Sequence, residues 1–345
     1  MIDRIVVASP GGRDGPSAKY RLGPLAKANL WPVEFHSAGS CPTRRQLEAL
    51  FAACSPSAAL VLQRVMPSDE DLRLLRKSFK AIVFDLDDAI YAVPPDLRGS
   101  RAVAAGKRLA RLGMRGSPTA SARKRPLVRT LRDVDVAVVG NEILGEFVRR
   151  YAAHVVEVPT TVEPEAVPSA TWPNPPVVAW MGLPDNMQYL EIVRPGLERL
   201  HEELHFVLRV VSSKEWSEAP FPVEFVPWSE AASREALLSS TVGIAPLSDD
   251  PWTRGKCAFR SIQYGGHALP TVASPVGITE RVVLHGKTGY LATKEEEWTD
   301  ALRVLLIRPE QAFTMGAAAL DHVRASYSND VAVARWSQVI ASVSR

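Results

Sequence analysis

Three cysteines in 345 residues are too few and too scattered for a disulfide framework. Cys41, Cys54 and Cys257 have neither paired nor metal-like spacing, so reduced thiols in a cytoplasm are expected, each a small core residue rather than a nucleophile. No run is long and apolar enough to span a membrane. Met1-Ile-Asp-Arg-Ile-Val-Val carries an acid and reads as a strand, not as a signal peptide. His36, His154, His201, His205, His267 and His285 lack ligand spacing, so no metal site is expected. Short internal repeats and low-complexity tails are also missing. These absences argue against a stapled secreted domain, a membrane span, a zinc domain and a repeat array.

Hydrophobic residues make up 46% and charged residues 23%, enough to bury real cores, and the length suggests two domains. Apolar runs at Ile5–Ala8, Val33–His36, Ala58–Leu62, Ala81–Phe84, Val134–Val139 and His154–Val158 predict strands, with helices between them. Ser17 is expected to cap the first helix, Thr43-Arg-Arg-Gln46 forms a capping box, and Ser68–Phe79 and the segment from Asn141 predict further helices. A Pro-rich linker spans Glu163–Pro176. The rhythm then restarts with strands at Val177–Met181, Phe206–Val211, Val223–Val226 and Val242–Ala245, and a helix over Met187–Leu204. Strands alternating with helices imply parallel sheets in two doubly wound α/β domains.

The net charge of +3 says little, but its distribution is uneven. Arg98 to Arg132 carries eleven bases and no acid. A solvated face or a dock for anionic lipid fits this pattern equally well. Aromatics do not interleave, so nucleic acid is not an expected partner.

The stretch Gly255–Gly277 organises the second half. Cys257, Ala258, Ser261, Ile262 and Tyr264 recur at helical spacing, Gly265-Gly266 stops the helix, Pro270–Ser274 predicts a buried strand, and Thr279 is expected to cap the next helix. A helix start behind Gly255 offers free N–H groups to an anion such as a diphosphate, and Lys256 adds a full charge there.

Lys256-Cys257, Gln263-Tyr264-Gly265 and Leu269-Pro270-Thr-Val-Ala-Ser-Pro-Val-Gly277, flanked by Val242–Trp252, Gly286–Ala292 and Glu297-Trp298, resemble the donor-binding segment of retaining GT-B glycosyltransferases of the bacterial group 1, family 4 type. Lys19-Tyr20-Arg21, Leu62-Gln-Arg64, Phe84–Ala89, Val139–Glu142 and Val158-Pro-Thr160 extend the resemblance over the N-terminal half. It implies an α/β GT-B fold of two Rossmann-like domains facing across a cleft between Gly12 and Lys256. The implied boundaries are an acceptor domain over 1–163, a linker over 164–176, a nucleotide-sugar domain over 177–327 and a helix over 328–345 that crosses back.

The implied activity is metal-independent transfer of a sugar from a nucleotide-sugar donor to an acceptor hydroxyl, with retention at the anomeric carbon. The nucleotide-sugar is a co-substrate and no cofactor is expected. The acceptor is a glycan, a lipid-linked molecule or a small molecule. The expected location is cytoplasmic, with peripheral contact to an anionic inner membrane face through Arg98–Arg132. Gly12, Arg21, Val226, Pro227, Lys256, Ala258, Phe259 and Gln263 are expected on the donor, Val226 and Pro227 through their backbone, with Trp228 packed behind them. Arg254 and Arg260 are weaker expectations for the donor's charge.

The sequence departs from the family at three points. Met181–Asn186 lacks the Arg and Lys that the family places after the first strand of its second domain. Gly255 and Gln263 stand where the family has two Glu. A catalytically silent GT-B binding protein is therefore one alternative. Asp85-Leu-Asp-Asp88 leaves three readings: a metal-binding Asp-x-Asp, the nucleophile strand of a haloacid dehalogenase-like phosphatase, or the family's cleft-edge motif with Asp87 and Asp88 as catalytic carboxylates. The third is preferred, because strands precede the motif and Ala89 follows it.

Overall fold

The structure is a computed structural model, and it describes residues 2–92, 120–165, 172–217, 219 and 221–344, with backbone only at 120–123. Among the described residues, twelve strands form two six-stranded sheets, and the paired strands run parallel. By internal contacts the chain divides into two compact units. One comprises Met1–Thr161, Arg254–Cys257 and Asn329–Arg345, and the other Val162–Thr253 and Ala258–Ser328. The short segment Arg254–Cys257 thus groups with the N-terminal residues, apart from the helix that comes after it.

The first unit holds β1 (Arg4–Ser9), β2 (Val33–Ser37), β3 (Ser55–Gln63), β4 (Phe79–Leu86), β5 (Val136–Val139) and β6 (Val155–Glu157), in the order β2-β1-β3-β4-β5-β6. Its inner strands read as unbroken apolar runs because both faces are covered. Ile5, Val7, Val61, Val83 and Val138 face Leu22, Leu25 and the Ala332, Trp336, Val339 and Ile340 stripe of the C-terminal helix Asn329–Ser342. The capping box is present: the Thr43 hydroxyl accepts from the Gln46 N–H at 3.4 Å, and Gln46 Oε1 accepts from the Thr43 N–H at 2.9 Å. Ser17 does not cap its helix. Gly15 occupies that position and Pro16 opens the helix, where its fixed φ fits and its missing N–H costs nothing.

The second unit holds β7 (Val177–Met181), β8 (Val207–Ser212), β9 (Val223–Pro227), β10 (Val242–Ala245), β11 (Thr271–Ala273) and β12 (Gly289–Leu291), in the order β12-β11-β10-β7-β8-β9. One face packs Val178, Trp180, Leu208, Val210, Ile244 and Val272 against helices carrying Leu197, Leu200, Trp298, Leu302 and Leu305. The other packs Ala179, Met181, Val211, Ala245 and Ala273 against Ala236, Leu237, Tyr264 and Leu269. The helix expected over Met187–Leu204 is split into 3₁₀ turns over Pro184–Ile192 and an α-helix over Arg194–Glu203. Pro195 accounts for the break, since it can start a helix but cannot continue one. Thr279 is the first residue of a four-residue helix and bonds back to the Val276 carbonyl at 2.7 Å instead of capping.

Among the described residues, no helix is long and apolar enough to cross a membrane. Arg98 to Arg115 of the basic segment, and 166–171 of the linker, lie outside the described residues. On the helix Ala120–Asp133, Arg129 is paired with Asp69. Lys124 and Arg132 lie 5.8 and 5.9 Å over the rings of Phe147 and Tyr151. These three bases already have partners within the protein, as on a solvated face.

Candidate functional site

In the first unit the carboxyl ends of β1, β3, β4 and β5 gather the residues singled out in the sequence. Gly12 lies in the turn after β1, and its carbonyl accepts from the Ser9 hydroxyl at 2.8 Å. Arg21 is fully buried. Its Nε donates to both oxygens of Asp85 at 3.1 and 2.9 Å, Nη2 to Oδ1 at 2.5 Å, and Nη1 to the Val158 carbonyl at 2.9 Å and Thr160 Oγ1 at 3.3 Å. Burial pulls the Arg21 pKa down, but the Asp85 charge and hydrogen bonds outweigh it, and the net direction is up. Arg21, expected on the donor, is instead held in an internal ion pair.

The same pair decides between the readings of Asp85-Leu-Asp-Asp88. Asp85 is the residue a phosphatase would use as nucleophile, yet it is fully buried, with Gln63 Nε2 adding a bond at 2.9 Å. Its oxygens are occupied, which removes it as a nucleophile and as half of a metal-binding Asp-x-Asp. Asp87 and Asp88 lie just past the strand end and are partly exposed, with side-chain exposures of 12% and 27%. Arg64 faces both, its Nε 3.4 Å from Asp87 and its Nη1 3.6 Å from Asp88. Burial raises the Asp88 pKa and Asp87 raises it further, while Lys256 and Arg64 oppose. Asp88 is thus a carboxylate that holds a proton more readily than usual.

Lys256 does not start a helix. The helix begins at Phe259, with Ala258 in a left-handed conformation at its N-cap, φ 49°. The segment before it is tied down within the first unit. Asn141 caps the helix Glu142–Val148 through Oδ1, accepting from the Leu144 N–H at 3.0 Å. Its Nδ2 donates to the carbonyls of Gly255 at 3.1 Å and Lys256 at 3.3 Å. A Cβ on Gly255 would stand 2.5 Å from the Ala89 methyl, so this crossing leaves no room for a side chain. Cys257 is buried beside the Asp87 carbonyl at 3.2 Å, and burial pushes its thiol up to about 12, so it stays a thiol and not a nucleophile.

In the second unit, β10 pairs with β7 at Val242–Val178 and Gly243–Ala179. Beyond that point the Tyr264 hydroxyl stands between the strands. It accepts from the Met181 N–H at 3.0 Å and donates to the Ile244 carbonyl at 3.3 Å. Burial pushes the phenol up to about 12, so it remains a donor. Strand order reverses here, since β8 lies on one side of β7 and β10 on the other, and open α/β sheets bind ligands at such points.

Helix Phe259–Gly266 carries Tyr264, so its first turn lies over the end of β7, where Arg260 Nε donates to the Met181 carbonyl at 2.5 Å. Ala258 and Phe259 open that turn without a side-chain cap, and Gln263 is half-buried one turn on. Val226 and Pro227 end β9, where the Trp228 N–H donates to the Ser212 carbonyl at 2.9 Å and the Ser212 hydroxyl donates to the Gly182 carbonyl at 2.8 Å. Trp228, expected to pack, is 54% exposed instead, because the chain leaves the sheet there for the Ser229-capped helix Glu230–Leu238.

No family model matches the chain, and no curated protein matches it by sequence. Solved structures do match. Sucrose-phosphate synthase (tll1590) from Thermosynechococcus elongatus is 14% identical with a TM-score of 0.69 and 99% of each chain covered. Alr3699/HepE from Anabaena in complex with UDP-glucose is 11% identical with a TM-score of 0.65, covering 98% of this chain and 99% of that one. A point mutant of TarM from S. aureus, in complex with UDP, is 10% identical with a TM-score of 0.59, and the match covers 85% of this chain and 57% of that one. The chain therefore has the α/β fold of GT-B glycosyltransferases, with a parallel six-stranded sheet in each of two units.

Proposed function

We propose that the chain is a glycosyltransferase that moves a sugar from a nucleotide-sugar to an acceptor hydroxyl, with retention at the anomeric carbon and without a metal ion. The observation that carries this reading is the end of β7, where the Tyr264 hydroxyl holds β7 and β10 apart and the first turn of helix Phe259–Gly266 lies over the gap. The whole-chain likeness to HepE, solved with UDP-glucose, with UDP and glucose, and with UDP, supports a nucleotide-sugar as the ligand there.

On this reading the N–H groups of Ala258 and Phe259 receive phosphate oxygens, Gln263 bonds the ribose hydroxyls, and the backbone at Val226 and Pro227 meets the base. The bond between the anomeric carbon and the diphosphate oxygen breaks, and its electron pair leaves with the diphosphate. The helix start stabilises that charge as it grows. The acceptor oxygen bonds the same face of the anomeric carbon. Asp87 and Asp88 are the carboxylates we assign to the acceptor, and the raised pKa of Asp88 suits it to take the hydroxyl proton. An anionic membrane contact through Arg98–Arg132 is proposed only for the part of that segment before residue 120.

Calorimetry over UDP-glucose, UDP-N-acetylglucosamine, GDP-mannose and ADP-glucose, followed by NMR of the product's anomeric configuration in EDTA, tests the reading. Binding of at least one donor, and turnover with retention, are expected. Inversion would sink the retaining assignment, loss of turnover in EDTA the metal-free one, and binding of none the donor reading. One observation favours a second reading. Ala89 fills the space a side chain at 255 would need, so the first of the family's two Glu has no counterpart. A silent binding protein would bind donor and release no product.

A further inference from the structure

A nucleotide-sugar brings two negative phosphates to the end of β7, and the loop Gly182-Leu183-Pro184-Asp185-Asn186 that leaves this strand has no base to meet them. A cation reaches the place from elsewhere. Arg260, in the first turn of helix Phe259–Gly266, lies with its guanidinium 4.8 Å over the Trp180 ring. A Cβ on Gly182 would stand 2.8 Å from Nη2, so the guanidinium lies against the strand end itself. Stacking on Trp180 and the Nε bond to Met181 fix the plane of the fork.

Arg260 has five N–H donors, and only Nε has a hydrogen-bond partner among the described residues. No carboxylate pairs with it among them. Burial lowers its pKa, and the groups that oppose are the phenols of Tyr264 and Tyr189, not a carboxylate. A guanidinium largely withdrawn from water with no counter-ion is costly to fold, unless a ligand supplies the anion. Planar forks match phosphate oxygens in pairs.

We propose that Arg260 binds the diphosphate of the donor, with Nη1 and Nη2 on non-bridging phosphate oxygens, and that Lys256 does not. The assignment rests on the donor reading above. The Lys256 charge acts on Asp88, where it favours the carboxylate form.

The test is calorimetry with UDP and with inorganic pyrophosphate on the wild type, Arg260→Met, Arg260→Lys and Lys256→Met, alongside thermal melting of each without ligand. Arg260→Met should weaken UDP and pyrophosphate by about ten- to a hundredfold. Arg260→Lys, which keeps charge but not the fork, should fall between. Lys256→Met should stay within about threefold of the wild type, a change too small for a lost charge-assisted bond. The ligand-free Arg260→Met protein should still unfold in one cooperative transition, so that the lost affinity is not a lost fold, although the bond to the Met181 carbonyl goes with the guanidinium. Unchanged UDP affinity in Arg260→Met or Arg260→Lys, or a loss in Lys256→Met in their place, overturns the assignment and leaves the donor reading standing. A wild type that binds none of UDP, GDP, ADP and dTDP overturns both.

Discussion

Arg21 in the first unit and Arg260 in the second both hold a guanidinium against the carboxyl end of a sheet, and both stand beside a strand carbonyl or carboxylate with short bonds. Arg21 has its charge answered by Asp85 and its remaining donors by Val158 and Thr160. Arg260 has one carbonyl and an aromatic face. The pKa directions agree: the Asp85 charge carries Arg21 upward against its burial, and nothing carries Arg260 upward far enough. A buried charge with its partner built in is a structural element. A charge drawn out of water without one is a request for a ligand, and the difference cannot be seen from residue type.

The contrast breaks most sharply at Arg21. Arg21→Met leaves Asp85 buried and unpaired, which should cost about 3–5 kcal/mol of stability. Adding Asp85→Asn to it should restore much of the loss, since the amide oxygen still accepts from Gln63. Urea unfolding of the single and double variants reads both steps. A single variant as stable as the wild type would show that the pair is not what holds the helix after β1 to β4.

Effects of intermediate size separate the two strand ends. Tyr264→Phe keeps the ring but strands the Met181 N–H and the Ile244 carbonyl, an expected loss of about 1–3 kcal/mol. UDP binding should weaken with it, because Arg260 rides on the same helix. An unchanged unfolding midpoint would mean that water replaces the hydroxyl and that β7 and β10 part for another reason. Gly255→Ala should cost about 1–3 kcal/mol through its clash with Ala89, and Ala89→Gly in the same chain should relieve it. If the pair of substitutions is no more stable than Gly255→Ala alone, the close approach is not what excludes a side chain there.

Eleven of the twelve described strands were legible because each is a short apolar run between turn residues; the edge strand Gly289–Leu291 was not, since three residues with a Gly at the start carry no apolar run. The Thr43 capping box and the helices beginning at Ser68 and Asn141 were legible for the same local reason. The helix start at Phe259 was not. Ala258 takes a left-handed φ without being a glycine, so no breaker marks the place where Lys256 leaves the helical path. Arg21 and Lys256 looked like ligand groups because the sequence shows the charge and not its partner. Asp85 lies 64 residues from Arg21, and Asn141 lies 114 and 115 residues from the carbonyls it holds. Arg260 was undervalued for the converse reason, since a missing partner is visible only once every neighbour is placed.

The smallest expected effect concerns Asp88, which stands between the two cases, buried enough to resist ionisation and yet near Lys256 and Arg64. Its folded pKa is raised, so the folded state binds the proton more tightly than the unfolded chain does. The stability this gives is complete below the unfolded value and is lost as pH rises through the folded one. Above the unfolded value, the raised pKa therefore weighs against folding. Asp88→Asn should raise the melting temperature at about pH 7.5 and change it much less at about pH 3, where the wild-type carboxyl is largely neutral in both states. The same variant should lose glycosyl transfer while keeping UDP affinity, because the lost group is assigned to the acceptor proton and not to the donor. A melting temperature that falls at neutral pH would mean that the attraction of Lys256 and Arg64 outweighs burial. Asp88 would then belong with Asp85, as a built-in counter-ion, and the acceptor's base would have to be sought at Asp87.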